Sequence, residues 1–394
     1  MRVCLASLHP RLPSGQIAGV VGLARALVRL GVEVRLVTAA GDDLLSGDRL
    51  TAVEASPPWR WPGRIGQTLQ RLARAACAVD LVQLNLPTPA FALLGDLLQR
   101  LLPVPVVVGF EAHLAETGQL LRGRQLWTAP RFYLPRLLVN NGLWARCTGH
   151  LCARYIVSSS LQARELLALG YPAARVSVLP NLIDEEKLRR SDRSAARRRL
   201  GLPEGRLVAY VGHYHPVKGV ETLIAAFGRC RERLPASHLV LAWSGLGDPR
   251  PVEAAIGRSR LDGRVLRLGR VPVGLLLSAV DLLALPYRFT MGQSAYPGLV
   301  LEALAIGVPL VTSALPLLQE LLGPDQAALL VPPDDSQALA AALECLLTDP
   351  VLAHRMVAAQ AQLWHTRLAP AVVARRYLDL YREIRSTWSG RGCR

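Results

Sequence analysis

Two short segments in the second half of the chain have the residue types and spacing to handle an anion and a polyol. The first, Tyr210-Val211-Gly212-His213-Tyr214-His215-Pro216-Val217-Lys218-Gly219, follows an apolar run and precedes an amphipathic stretch over Val220 to Phe227. Lys218 thus stands where a helix begins, which disfavours a cation because the helix dipole is positive there. It is either a solvent-exposed loop lysine or part of a phosphate site, since a bound anion satisfies both the ammonium and the helix amides. The second segment is Ser294-Ala295-Tyr296-Pro297-Gly298-Leu299-Val300-Leu301-Glu302-Ala303-Leu304-Ala305. Pro297 and Gly298 turn the chain into a new helix and leave the amides of Gly298 and Leu299 open to a diphosphate. Glu302 is the lone carboxylate of an apolar stretch. Burying it is costly without donors, which either sugar hydroxyls or local helix backbone can supply.

Both segments are expected to follow strands of a parallel sheet. The chain opens with a βαβ pattern: a strand over Val3 to Ser7, a loop over Pro10 to Gly15, a helix to about Leu30 closed by Gly31, and a strand over Val34 to Thr38. Further strands are expected at Leu81–Leu84, Val104–Val108, Tyr155–Val157 and Arg175–Val178. A second cycle follows the arginine-rich segment Lys187 to Arg199, with strands at Arg206–Val211, Leu239–Trp243, Val265–Leu268, Leu282–Leu285 and Leu310–Thr312. Apolar residues make up 51% of the chain and aromatics only 5%. Such a Leu-, Val- and Ala-rich composition suits buried parallel strands covered by helices. The chain is longer than one core usually organises. We therefore expect an α/β protein of two doubly wound, Rossmann-like domains, 1–185 and 186–371, with a terminal helix over 372–390 returning to the first. Open parallel sheets bind ligands at the carboxyl ends of their strands, so the expected site is a cleft between the domains.

The two segments, in their order and separation, resemble the retaining GT-B glycosyltransferases of family 4. The resemblance extends over nearly the whole chain. Pro13-Ser14-Gly15-Gln16-Ile17 looks like the family's glycine loop, Leu179-Pro180-Asn181-Leu182-Ile183-Asp184 like its Pro-Asn-Gly-x-Asp linker with Leu182 in place of Gly, and Tyr377 to Ile384 like its terminal helix. The resemblance implies transfer of a sugar from a nucleotide-diphosphate donor with retention of configuration and no metal or other cofactor. It implies that Lys218 contacts the donor diphosphate, that Glu302 binds the nucleotide ribose, and that Gly15, Gln16, Gly212, Gly298 and Leu299 line the donor. The resemblance also implies that the departing diphosphate takes the acceptor proton, with Lys218, His213 and the Gly298 and Leu299 amides expected to stabilise the leaving group. His213 stands where the family has Arg, and Ser294 where it has its first Glu. The family's His facing the transferred sugar falls within Val108-Gly109-Phe110-Glu111-Ala112-His113, with Glu111 at the expected place and His113 two residues on.

The formal charge of +16 rests on arginine, since Lys187 and Lys218 are the lysines of the chain. It favours anions in general. No nucleic-acid motif accompanies it, so nucleic acid is not an expected partner. Trp59, Arg60, Trp61, Arg64, Arg71 and Arg74, and Arg122, Arg124, Trp127, Arg131, Phe132, Tyr133 and Arg136, interleave arginine with aromatics. They are either solvated helix faces or a peripheral contact with an anionic membrane. Seven scattered cysteines read as reduced thiols. Cys147, His150 and Cys152 lack the second ligand pair of a zinc site. The apolar run Tyr296 to Leu318 is divided by Glu302, Gly307, Pro309 and Pro316 and is not expected to span a membrane. With no signal-peptide pattern at its start, the chain is expected to be cytoplasmic. A dinucleotide oxidoreductase is disfavoured because no Gly-x-Gly-x-x-Gly follows the first strand. A GT-B sugar-nucleotide epimerase, or a weakened nucleotide-sugar-binding partner subunit suggested by His213 and Ser294, are the alternatives. The acceptor is not identified.

Overall fold

The computed structural model describes residues 1–7, 15–38, 50–54, 72, 74–76, 78–111, 146, 150–289 and 296–388. The chain divides into two compact units. One comprises Met1–Asp184, Met291–Gly298 and Leu368–Arg394; the other comprises Glu185–Thr290 and Leu299–Arg367. The first unit thus takes in a short segment around Tyr296 that a contiguous second domain over 186–371 would have kept.

In the first unit, β1 (Arg2–Ser7), β2 (Glu33–Thr38), β3 (Leu50–Glu54), β4 (Leu81–Leu86), β5 (Val106–Phe110), β6 (Arg154–Val157) and β7 (Val176–Val178) form one parallel sheet in the order β3-β2-β1-β4-β5-β6-β7. Successive residues of a strand point to opposite faces. Val3 and Leu5 accordingly enter one core, with the helix Gly15–Arg29 and the terminal helix Pro370–Thr387, while Cys4 and Ala6 enter the other. Both faces are covered, which explains why the strands are apolar almost throughout. The terminal helix contributes Val373, Ala374, Tyr377, Leu378, Tyr381 and Ile384 to the first of these cores.

In the second unit, β8 (Arg206–Tyr214), β9 (Ser237–Gly247), β10 (Val265–Leu268), β11 (Leu282–Leu285), β12 (Leu310–Ser313) and β13 (Leu329–Val331) form a parallel sheet in the order β10-β9-β8-β11-β12-β13. In each sheet the first strand in sequence pairs on both sides, so the strand order reverses beside it, the doubly wound arrangement. Among the described residues no helix is long and apolar enough to cross a membrane.

Candidate active site

In the second unit, Lys218 closes a 3-10 turn, Pro216–Lys218, that leaves the end of β8. Gly219 follows in the left-handed region at φ 66° and caps the helix Val220–Arg229. A Cβ at Gly219 would lie 2.0 Å from the Pro286 carbonyl oxygen, so this turn presses against the end of β11 as only glycine allows. The packing places the Lys218 ammonium 4.8 Å from the ring centre of Tyr287, a cation–π contact. Burial pulls the Lys218 pKa down to about 8. Tyr287 is buried, and its hydroxyl is pushed well above the usual phenol range, first by burial and then by the charge of Glu302.

Tyr287 therefore links the two sequence segments. Glu302 sits in the second turn of the helix Gly298–Ile306 and is half-buried, a turn further in than a helix-start carboxylate would be. Gly298 and Leu299 are the first residues of that helix. Arg288 is held in an ion pair by Asp334 at 2.6 Å.

His213 lies in the last turn of sequence of β8, just after Gly212, whose φ is 144°. The buried Tyr210 hydroxyl donates to the His213 carbonyl at 2.7 Å, and the His213 Nδ1 bonds the Ser244 hydroxyl. Burial, then the charges of Lys218 and of Arg270, lower the His213 pKa below its ordinary value. Arg270 itself donates from Nε to the Ser244 carbonyl at 2.7 Å. Three basic groups, His213, Lys218 and Arg270, thus share one electrostatic neighbourhood, which is the chemistry of an anion site.

The first unit holds a separate pocket of about 50 Å³, room for a few waters. Gly19 and Leu23 of the first helix, Gln83 and Asn85 of β4, Glu111, Ser158, Asn181 and Tyr377 line it. It opens where β4, β5 and β6 end. Gly109 is needed there, since a Cβ would lie 2.8 Å from the Asn85 Oδ1. Gly22 brings the first helix against the linker, with its Cβ position 2.4 Å from the Ile183 carbonyl oxygen, and Arg25 pairs with Asp184 at 2.7 Å. A buried chain of hydrogen bonds runs from the Tyr381 hydroxyl to Gln83 Oε1 at 2.6 Å, from Gln83 to Asn85 at 3.0 Å, and from Asn85 to the Ala6 carbonyl at 3.2 Å. Glu111 has one carboxyl oxygen shielded from solvent, and burial lifts its pKa to about 8.

Gly15 and Gln16 are the first two residues of the helix Gly15–Arg29. His113 and Ser294 lie outside the described residues, as do the arginine–aromatic segments apart from Arg74, which is exposed. Cys147 is outside them too. Among the described residues no three His, Cys, Asp or Glu side chains are grouped to hold a metal ion. Ser244, Arg270, Gln83, Asn85 and Asn181 were not singled out by sequence. For Ser244 a signal existed in the Gly245 and Gly247 that follow β9's apolar run, a place where backbone turns tightly after a strand.

Two doubly wound parallel sheets in one chain define a protein of the GT-B glycosyltransferase fold. Solved structures share that fold across the chain. The sucrose-phosphate synthase of Thermosynechococcus elongatus matches with a TM-score of 0.75 and 21% identity over 98% of this chain and 100% of its own. Anabaena Alr3699/HepE, solved in complex with UDP and glucose, matches with a TM-score of 0.74 and 20% identity over 97% of this chain and 100% of its own. Family models agree from both halves, with Glycosyltransferase Family 4 over residues 13–187 and Glycosyl transferases group 1 over residues 205–349. The phosphatidyl-myo-inositol mannosyltransferase of Mycobacterium leprae is 25% identical over 390 residues, spanning 96% of this chain and 95% of that relative. The chain belongs to the group 1 glycosyltransferases of GT-B fold.

Proposed function

We propose that this glycosyltransferase moves a sugar from a nucleotide-diphosphate donor to an acceptor hydroxyl with retention of configuration and without a metal. The observation that carries the reading is the convergence of Lys218, His213 and Arg270 in the second unit, with Glu302 joined to Lys218 through Tyr287. Negative charge grows on the diphosphate as the sugar leaves, and fixed cations in a partly dry site stabilise that charge most where it develops. The diphosphate takes the acceptor proton, so no separate protein base is required. Glu302 holds the ribose. The solved Anabaena neighbour with UDP-glucose supports a nucleotide sugar as donor.

The acceptor is a polyol. Support comes from the hydroxyl- and amide-lined pocket of the first unit and from the inositol compounds in the names of the M. leprae mannosyltransferase and of the D-inositol 3-phosphate glycosyltransferase of Mycobacterium bovis. The latter is 32% identical over 171 residues, 41% of this chain and 34% of its own length. Isothermal titration with UDP-glucose and GDP-mannose, followed by NMR assignment of the product anomer, tests the reading. Binding followed by a product of unchanged configuration is expected. Binding without turnover would mark a partner subunit, and epimerised donor without transfer would mark an epimerase.

A second reading concerns lipid contact at the protein surface, as a peripheral protein on the cytoplasmic face of a membrane. The helix Leu93–Leu101 exposes Leu93, Leu97 and Leu101 at 48%, 39% and 66%, one stripe at helical spacing beside the exposed Arg100. An apolar stripe on a chain of charge +16 suits an anionic bilayer. Liposome flotation is expected to recover the protein with anionic but not neutral vesicles, and Leu97→Glu is expected to reduce that recovery. Equal recovery with both vesicle types, or none with either, would contradict it.

A further inference from the structure

The first and second strands of the second unit do not pair evenly. Gly212 pairs with Trp243 and Tyr214 with Gly247, so His213 alone stands opposite Ser244, Gly245 and Leu246. Such bulges bend a strand and re-aim side chains. This one is built into the sequence. Gly245 and Gly247 adopt left-handed φ values of 84° and 93°, and a Cβ at Gly247 would lie 1.9 Å from the Tyr214 carbonyl oxygen. Trp243 stacks on Tyr214 with ring centres 5.2 Å apart, and its indole N–H donates to the Leu246 carbonyl at 2.8 Å. The Leu246 amide donates to the Ser244 Oγ at 3.3 Å. With one lone pair of its oxygen taken by that amide, the hydroxyl is placed to give its proton to His213 Nδ1.

We propose that Ser244 is a positioning residue of the donor site: its hydroxyl holds the His213 ring in the tautomer with its proton on Nε2, while its carbonyl holds the Arg270 guanidinium. The inference rests on the reading of the second unit as the nucleotide-sugar site. It explains how a histidine serves where similar enzymes have an arginine. A ring fixed at Nδ1 offers Nε2–H to the diphosphate even when neutral, and Arg270 supplies guanidinium charge in the same neighbourhood. The charged groups that act on the ring are Lys218 from the turn after β8 and Arg270 from beyond β10. Burial first, and then these two charges, lower its pKa and so favour the neutral ring in the free protein. The Tyr210 hydroxyl meets its backbone carbonyl. A bound diphosphate favours the protonated ring, so donor affinity rises as pH falls below neutrality.

The test combines two measurements on the full chain. Nitrogen-15 NMR of the free protein at pH 7.5 is expected to show His213 protonated at Nε2, and Ser244→Ala is expected to admit the Nδ1–H form. Titration with UDP-glucose and GDP-mannose is expected to show binding to Ser244→Ala weakened roughly tenfold at pH 7.5, about the effect of one hydrogen bond to a charged group. The loss should shrink at a lower pH at which the nitrogen-15 spectrum shows the ring carrying both protons, so that the tautomer no longer matters, and Ser244→Thr should restore binding at both pH values. A loss of folding would lower affinity at both pH values and in both variants. An Nδ1–H ring in the unsubstituted protein, or unchanged donor affinity in Ser244→Ala at pH 7.5, would overturn the role of Ser244. Failure of the unsubstituted protein to bind either donor would instead overturn the assignment of the site, whereas the tautomer, read without ligand, still decides what Ser244 does.

Discussion

Beside its strand ends each unit holds a half-buried ionisable group whose pKa burial shifts, and the two groups, Glu111 and Lys218, are of opposite sign. In the first unit burial lifts Glu111 to about 8, which favours the protonated carboxyl at neutral pH. In the second, burial lowers Lys218 to about 8, so the ammonium is still mostly charged at neutral pH but poorly solvated. On the proposed reading, the first site suits a hydroxyl-bearing ligand and the second an anion, which would relieve the cost of desolvating the cation. The same physical cause, desolvation, yields two different binding chemistries because it acts on an acid in one place and a base in the other.

The sharpest way to break this comparison is to remove the cation. Lys218→Met is expected to lower turnover of a nucleotide-sugar by roughly 100-fold or more, the order of losing one group that stabilises developing charge. The melting temperature should not fall, because the substitution also removes a buried charge. Donor kinetics beside a thermal melt check both parts.

The next test asks whether Glu111 is neutral in the folded protein. Its folded pKa of about 8 exceeds the ordinary 4.5, so the stability it contributes is full below about pH 4.5 and is lost as pH rises towards and through 8. Glu111→Gln is therefore expected to melt a few degrees above the unsubstituted protein at pH 9, roughly 2–6 °C, with the difference vanishing near pH 5. Lys218 has the opposite dependence. Its depressed pKa makes its contribution full above about pH 10.5 and lost as pH falls through 8, so the gain from Lys218→Met should be larger at pH 7 than at pH 10. Parallel melts of the two variants across pH would show curves that cross if the comparison holds and run parallel if it fails.

The smallest expected effect concerns the donor sugar. Ser294→Glu is expected to change the ratio of turnover over Michaelis constant between two donors that share one nucleotide, since a carboxylate penalises a sugar that cannot satisfy it. An unchanged ratio would show that this position does not read the sugar.

The class of fold was legible because buried parallel strands are written as short apolar runs with helical patterns between them. Strands β3 and β13 escaped for the same reason. Leu50–Glu54 is short, holds Thr51 and Glu54, and forms the sheet edge, while Leu329–Val331 is three residues long at the opposite edge of its own sheet. Strand β9 runs past its expected end at Trp243 to Gly247, because Gly245 and Gly247 form a bulge that pairing with Tyr214 carries through. Lys218 and Glu302 could be singled out because a charge in an apolar setting is conspicuous. Ser244 carries no charge to mark it and meets His213 from a strand 31 positions away, so only the glycines that follow it pointed there. The Gln83–Asn85–Tyr381 chain escaped likewise, because the terminal helix that completes it is remote in sequence.

The central claim is that the second unit binds a nucleotide-diphosphate sugar through Lys218 and drives departure of the diphosphate. Mass-spectrometric detection of nucleoside diphosphate released from a panel of nucleotide-sugars, by the unsubstituted protein and by Lys218→Met side by side, tests it without a choice of acceptor, because slow transfer to water suffices. We predict release from at least one donor and a rate at least about 100-fold lower in the variant. No release from any donor, or equal release by both proteins, would contradict the account.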